Sequence, residues 1–225
     1  MQIPRAPHRW SVTPKAAIAI QRRLAERVVQ RAHRGRLRTV VGTDMAFTPD
    51  GGTCIAAAIV WDIAAGCVVE ERLARRAVTF PYVPGLLTFR EAPAVLAALR
   101  KLRIRPDAMM CDGQGFAHPR RIGLASHLGV VTGLPTVGCA KSLLIGTHGA
   151  LGVRKGSRTT LLDGAERIGT VLRTRDGVRP VYVSVGHNLS LDQAEELVLA
   201  CAAGYRIPEP TRLADLVVAV AKRTS

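Results

Sequence analysis

The stretch "RTVVGTDMAF" (38–47) decides how the rest of the chain is read. Its β-branched, apolar run has the character of a buried strand, and it closes on a carboxylate, Asp44. Two similar runs follow, "TCIAAAIVWD" (53–62) and "CVVEERLARRAV" (67–78), the second entered through the short turn "IAAG". Three strands so closely spaced predict a meander. Beyond the proline-rich loop "FPYVPGLLTFREAP" (80–93) the pattern changes to alternation. A helix is predicted over 92–102, a short strand over 106–113, a helix over 119–131 and a strand over 135–141. "ERIGTVLRT" and "PVYVSVG" read as a hairpin joined by "RDG", and two closing helices begin near "SLDQA" and "PTRLAD". Strands first and alternation later predict an α/β domain with a mixed sheet flanked by helices. No repeat interrupts it, so residues 1–225 are expected to form one domain. Residues 1–35 should pack on it as a helical segment, because Ile20, Leu24 and Val28 recur at four-residue steps over 14–32.

Composition narrows the function classes. Hydrophobic residues make up 48% of the 225 and charged residues 22%, which suits a chain with a buried core rather than a disordered one. Lys and Arg outnumber Asp and Glu by 32 to 17, a net charge of +15 that points to a polyanionic partner, nucleic acid first. The five cysteines are scattered, without a C-x-x-C, which argues against a zinc site or a disulfide framework and fits a reducing cytoplasm. No apolar run is long enough to predict a membrane span.

The candidate chemistry lies in the carboxylates. Asp44 and Asp112 each come late in a short apolar strand, where an α/β sheet presents residues to a ligand crevice. One such aspartate reads as a turn residue; two also admit a site for a hard cation such as Mg²⁺ or Mn²⁺. Glu91 is a candidate third ligand. It also completes the spacing of a helix capping box with Thr88, a reading that Pro93 weakens. Asp215 could add a fourth carboxylate or be an ordinary helical aspartate. His118, Arg120, Arg121 and Lys141 follow the strand ends and supply the cations that phosphate requires. Gly133 and Gly138 have P-loop spacing, but Cys139 and Ala140 intervene before Lys141, which excludes that motif. Acids for a metal beside bases for phosphate point to metal-assisted phosphodiester chemistry. His187 reads as a turn or core residue, the arginines of 14–32 as a solvated face, and Trp61 as packing.

Six blocks carry a resemblance: "VGTDMAF", "PYVPGLLTFREAP", "DGQGFAHPRRIGLASHLG", "PTVGCAKS", "VSVGHNLSLDQA" and "YRIPEPTRLAD". In this order, from about Val41 to Asp215, the chain resembles the endonuclease V family, the deoxyinosine 3′ endonucleases. The resemblance implies a ribonuclease H-like fold. It implies a Mg²⁺-dependent enzyme, with Mn²⁺ able to substitute, that hydrolyses the second phosphodiester bond 3′ to deoxyinosine and leaves 3′-hydroxyl and 5′-phosphate ends. Asp44, Glu91 and Asp112 are then the metal-coordinating carboxylates and Asp215 an acidic residue near the metals. His118 and Lys141 lie close to the scissile phosphate. Tyr82, within Pro81-Tyr82-Val83-Pro84, is the wedge that enters the duplex, and Gly85, Leu87, Gly113 and Gly138 build the lesion pocket.

The implied partner is DNA containing deaminated purines, with inosine-containing RNA as a further substrate, and the implied state is a monomer in the cytoplasm. Gln114, where relatives often carry His or Asn, and Met45, in place of an expected valine, depart from the family pattern. Residues 146–164 support no transfer. Two other readings make different predictions. A ribonuclease H-like junction resolvase would share the carboxylates and cut branched DNA, whereas a basic nucleic-acid-binding module would cut nothing.

Overall fold

The computed structural model describes residues 1–223. The expected meander is present: β1 (Thr39–Phe47) pairs antiparallel with β2 (Thr53–Asp62), and β2 with β3 (Cys67–Ala77). The chain then crosses to the other side of β1, where β4 (Ala108–Cys111) lies parallel to it and β5 (Thr136–Ala140) parallel to β4. The predicted hairpin, β8 (Glu166–Leu172) with β9 (Val181–His187), attaches through β9, antiparallel to β5.

Two strands within residues 146–164 were not anticipated. They are β6 (Thr147–His148) and β7 (Arg158–Asp163), and they complete a nine-stranded sheet in the order β3-β2-β1-β4-β5-β9-β8-β7-β6. β6 is only two polar residues long, and β7 carries a single buried apolar residue, Leu161, so neither shows the apolar run that identified the others.

Helices cover both faces. On one, α2 (Leu87–Arg100) and α3 (Leu124–Thr132) pack onto Val41, Ala56, Ala58, Met109 and Cys111. On the other, α4 (Leu191–Ala200) covers Met110, Val137, Val183 and Val185, and α5 (Glu209–Arg223) covers Ile55, Ala57 and Ile59. The alternation along β1 and β2 is that of strands buried on both sides. Gly42 is required by this packing: a Cβ there would stand 2.1 Å from the Pro210 carbonyl carbon, so only glycine lets α5 lie this close to β1.

The first helix is shorter than predicted. α1 (Pro14–Ala25) starts at Thr13, whose hydroxyl accepts the Ala16 N–H at 3.3 Å, with Pro14 in the first turn. It ends seven residues before the expected position because the following backbone has other partners. The Val29 N–H donates to His187 Nδ1 at 3.2 Å, the Val29 carbonyl accepts from Asn188, and the His33 N–H donates to the Gln193 side chain at 2.8 Å. His187 is thus a core residue that ties down the N-terminal segment, as the sequence suggested. The buried positions of α1 are Ala17, Gln21 and Leu24, a stripe that includes one fully enclosed polar side chain.

Candidate active site

The crevice forms where the chain leaves β1 in opposite directions, at the carboxyl ends of β1 and β4. Parallel register pairs Thr43 with Cys111, and the Asp112 N–H donates to the Thr43 carbonyl at 3.2 Å. Asp44 and Asp112 are therefore adjacent residues on neighbouring strands. Lys141, one residue beyond β5, reaches back between them. Its Nζ lies 2.5 Å from Asp112 Oδ2, 3.9 Å from Asp44 Oδ2 and 3.8 Å from Asp215 Oδ1. Asp215, on α5, is thus part of the cluster, with a side chain 55% exposed that forms its solvent side.

Glu91 approaches from α2. The capping box is not formed, because α2 begins at Leu87 with Leu86 as its N-cap and no side chain bonds the cap. Thr88 is thus inside the helix, and Glu91 is one turn in, turned toward Asp112. Pro93 lies within the helix rather than at its start. It removes the hydrogen bond that the Phe89 carbonyl would otherwise receive.

Protonation shows how unbalanced the acids are. Burial raises Asp44 to about 8, with Asp112 adding repulsion and Lys141 and the Met45 N–H opposing it. Burial, then Asp112, raises Glu91 to about 7. Asp112 is raised chiefly by burial, against its bond to Lys141. Lys141 is raised because these carboxylates outweigh its own desolvation. Among the described residues, no three His, Cys, Asp or Glu side chains stand close enough to hold one ion as placed. An ammonium group instead lies among three carboxylates, in the role that a cation of higher charge would fill. Hard oxygen donors that burial disfavours as anions fit a divalent cation well.

Beside the acids opens a pocket of about 290 Å³, lined by Gly85, Leu87, Glu91, Asp112, Gly113 and Lys141 among others. Of the four glycine and leucine positions expected to form it, Gly85, Leu87 and Gly113 line it. Gly138 does not. It is buried behind the wall, where a Cβ would meet the Gly115 nitrogen at 2.4 Å and the Gly113 oxygen at 2.6 Å, so its role is close packing of β5 against that backbone. Tyr82 stands at the tip of the neighbouring loop, 69% exposed, between exposed Pro81 and Pro84, while Val83 is tucked against Phe80, Leu86 and Phe89.

The other basic residues are placed differently from expectation. His118 lines the pocket, but its Nε2 bonds the Gly85 carbonyl at 3.1 Å and its Nδ1 accepts the Arg120 N–H at 3.2 Å. Both ring nitrogens are thereby committed within the protein, and burial followed by the Arg120 charge lowers its pKa to about 4. The expected contact of His118 with water or phosphate is revised to a neutral strut. Arg121 pairs with Asp163 and Glu166, each at 2.7 Å.

Two glutamines were not identified as site residues. Gln114 donates to the Ser142 carbonyl at 3.0 Å, and its Oε1 is buried without a partner. Gln21 bonds the Gly85 carbonyl at 3.0 Å. The available signal for Gln21 was a polar residue on the apolar stripe of an amphipathic helix.

The chain is similar over most of its length to known proteins of one family. A family model described as Endonuclease V matches residues 22–216. An Endonuclease V of Roseiflexus castenholzii is 50% identical over 212 residues, covering 94% of this chain and 95% of the relative. The crystal structure of the Endonuclease V from Streptomyces avermitilis superposes with a TM-score of 0.91 at 46% identity, covering 100% of both chains. A Ciona intestinalis Endonuclease V, crystallised with a 24mer DNA containing an inosine followed by a ribo-adenosine, shares the fold with a TM-score of 0.81 at 24% identity. It covers 92% of this chain and 96% of that one.

Proposed function

Because this chain belongs to the endonuclease V family, and is thus a nuclease that cuts within a strand, we propose that it recognises deoxyinosine in DNA and hydrolyses the second phosphodiester bond 3′ to it. The products carry 3′-hydroxyl and 5′-phosphate ends. One observation carries this reading: Asp44 and Asp112 flank Lys141, Glu91 faces Asp112 from α2, and Glu91, Asp112 and Lys141 line a pocket that starts three residues after an exposed tyrosine. The Ciona relative crystallised on inosine-containing DNA supports the choice of lesion.

A base inside a duplex must leave the stack before a closed pocket can inspect it. Tyr82 fills the gap, and Pro81 and Pro84 limit the conformational freedom lost on insertion. Unstacking costs about a few kcal/mol, least where pairing is already weak, so part of the selectivity arises before the base reaches the pocket. Hypoxanthine presents an oxygen acceptor at position six and a proton at N1, the reverse of adenine. The uncapped first turn of α2, at Leu87 and Thr88 on the pocket wall, offers backbone N–H groups to such an acceptor. Adenine would leave those donors unpaired, at about 1–3 kcal/mol each.

Asp44, Glu91 and Asp112 would hold Mg²⁺, or Mn²⁺ in its place. When bound, the cation supplies an acidified water and neutralises charge on the leaving 3′ oxygen. Lys141, released from Asp112, places its ammonium against the scissile phosphate. Asp215 screens the solvent side, and His118 holds the pocket mouth in position. The excess of Arg and Lys follows the nucleic-acid backbone and makes binding steeply salt-dependent. We assign the protein to the cytoplasm, as a monomer; no helix among the described residues is long and apolar enough to cross a membrane.

The direct test uses an end-labelled strand with one central inosine, single or paired, incubated with Mg²⁺ or with EDTA. A product one nucleotide beyond the lesion, formed only with Mg²⁺, is expected. Cutting of branched but not inosine-bearing DNA would transfer the site to resolvase chemistry. An RNA strand of the same design measures whether inosine in RNA is also a substrate.

A further inference from the structure

The Gly85 carbonyl receives three hydrogen bonds from three directions. Gln21 Nε2 donates at 3.0 Å, Arg120 Nη2 at 2.6 Å and His118 Nε2 at 3.1 Å. Gly85 occupies the third position of the turn Val83-Pro84-Gly85-Leu86, closed by the Leu86 N–H on the Val83 carbonyl at 2.9 Å, with φ +76°. Proline second and a positive-φ glycine third define a type II turn. That turn joins the exposed Tyr82 tip to the pocket wall.

Gln21 is the distant member of this group, contributed by α1 and wholly buried. It uses both ends of its amide. Its Oε1 accepts Arg120 Nε–H at 2.5 Å, and its Nε2 faces the Gly85 and Ile122 carbonyls at 3.0 and 3.5 Å. The guanidinium on one side and the carbonyls on the other fix the amide orientation, since a flip would set like groups against each other. Arg120 and His118 are in turn connected through the Arg120 N–H on His118 Nδ1. The base of the loop is thus held by a closed network, while its tip stands free.

We infer that Gln21 is a positioning residue for the duplex probe: with Arg120 and His118 it clamps the Gly85 carbonyl so that Tyr82 projects from a fixed base. The inference rests on the proposed insertion of Tyr82. Entry into a stacked duplex pushes back on the loop, and an unclamped turn would yield instead of opening the stack. A single strand exerts no such force, which separates a clamp from a general structural role.

The test compares Gln21→Met, of similar size without the bonds, and Gln21→Glu, which keeps an acceptor for Arg120 and loses the donor to Gly85. Tyr82→Ala and the double variant Gln21→Met with Tyr82→Ala complete the set. Single-turnover cleavage is measured with Mg²⁺ on inosine in duplex and in the same strand alone, beside thermal melting of each variant. Gln21→Met is expected to lose about 10-fold on duplex and less than about 2-fold on the single strand, and Gln21→Glu, whose carboxylate oxygen would face the Gly85 and Ile122 carbonyls, at least as much on duplex. The double variant should be no slower on duplex than Tyr82→Ala, because both changes disable one device.

Equal losses of Gln21→Met on both substrates, or additive losses in the double variant, overturn the clamp while leaving the Tyr82 reading intact. Should Gln21→Met melt too low to assay, Gln21→Glu carries the comparison, and equal losses there overturn the clamp as well. If Tyr82→Ala itself loses equally on both substrates, the insertion reading fails and the clamp fails with it.

Discussion

Lys141 Nζ lies 2.5 Å from Asp112 Oδ2, and the same nitrogen is within 4 Å of Asp44 and Asp215. One ammonium among three carboxylates leaves the site short of positive charge. Lys141→Ala should therefore slow the single-turnover chemical step by on the order of 10²-fold, the scale of losing one charge-stabilising donor. Mg²⁺ affinity should be retained or improved, since the competing ammonium is gone. An unchanged rate in rapid-quench measurements would remove Lys141 from the chemistry.

Asp44→Ala or Asp112→Ala should reduce cleavage by about 10²-fold or more while inosine DNA is still bound. Gel-shift binding in Ca²⁺ together with a Mg²⁺ cleavage time course separates the two effects. Full activity in either variant would defeat the assignment of these carboxylates to the cation.

Tyr82→Ala is expected to slow cutting of inosine in duplex by roughly 10-fold, equivalent to about 1.4 kcal/mol of lost unstacking help. The same lesion in a single strand should be cut nearly as fast as by the unaltered protein.

The raised acids make the metal-free protein pH-sensitive in a definite direction. Asp44 keeps its proton to about pH 8 when folded but releases it near 3.8 when unfolded; Glu91 behaves likewise between 4.5 and about 7. The folded state holds the extra protons across this window, so its stability is greatest at the acid side and declines as pH rises through 7 to 8. Thermal melting in EDTA should show that decline, Asp44→Asn should flatten it, and Mg²⁺ should stabilise more at pH 9 than at pH 6. A melting temperature that climbs from pH 5 to 9 without metal would contradict the raised values.

A second titration runs the opposite way. His127, wholly buried, shares a 2.7 Å hydrogen bond between its Nε2 and that of His8, within a cluster of Trp10 and Phe89. Burial, then His8, lowers it to about 3, so its contribution is full above 6.5 and is lost as pH falls toward 3. His127→Phe should reduce the acid sensitivity of melting between pH 6 and 4, and an unchanged acid limb would assign that sensitivity elsewhere.

Much of this arrangement was legible because it depends on local pattern. The runs ending at Asp44 and Asp112 are short, apolar and β-branched or sulfur-rich, and parallel register alone makes their ends neighbours. The remainder depends on tertiary partners. α1 stops at Ala25 because His187 and Asn188 take the backbone of Val29, which no periodicity records. Thr88 and Glu91 have capping-box spacing, yet the helix begins before Thr88 and leaves Glu91 to the site. His118 has the right residue type for phosphate, but the turn at Gly85 claims it.

The sheet is open, and its two borders are unlike. At one end β6 is two residues long and offers an incoming strand almost nothing to pair with. At the other, β3 is eleven residues long, with Glu70, Glu71, Arg72, Arg75 and Arg76 along it and Glu70 bound to Arg72 at 2.6 Å. A second molecule that tried to extend the ribbon there would have to disturb that ion pair and set charge against charge. Brevity on one flank and charge on the other thus guard a nucleic-acid enzyme against self-association at high local concentration on its polymer.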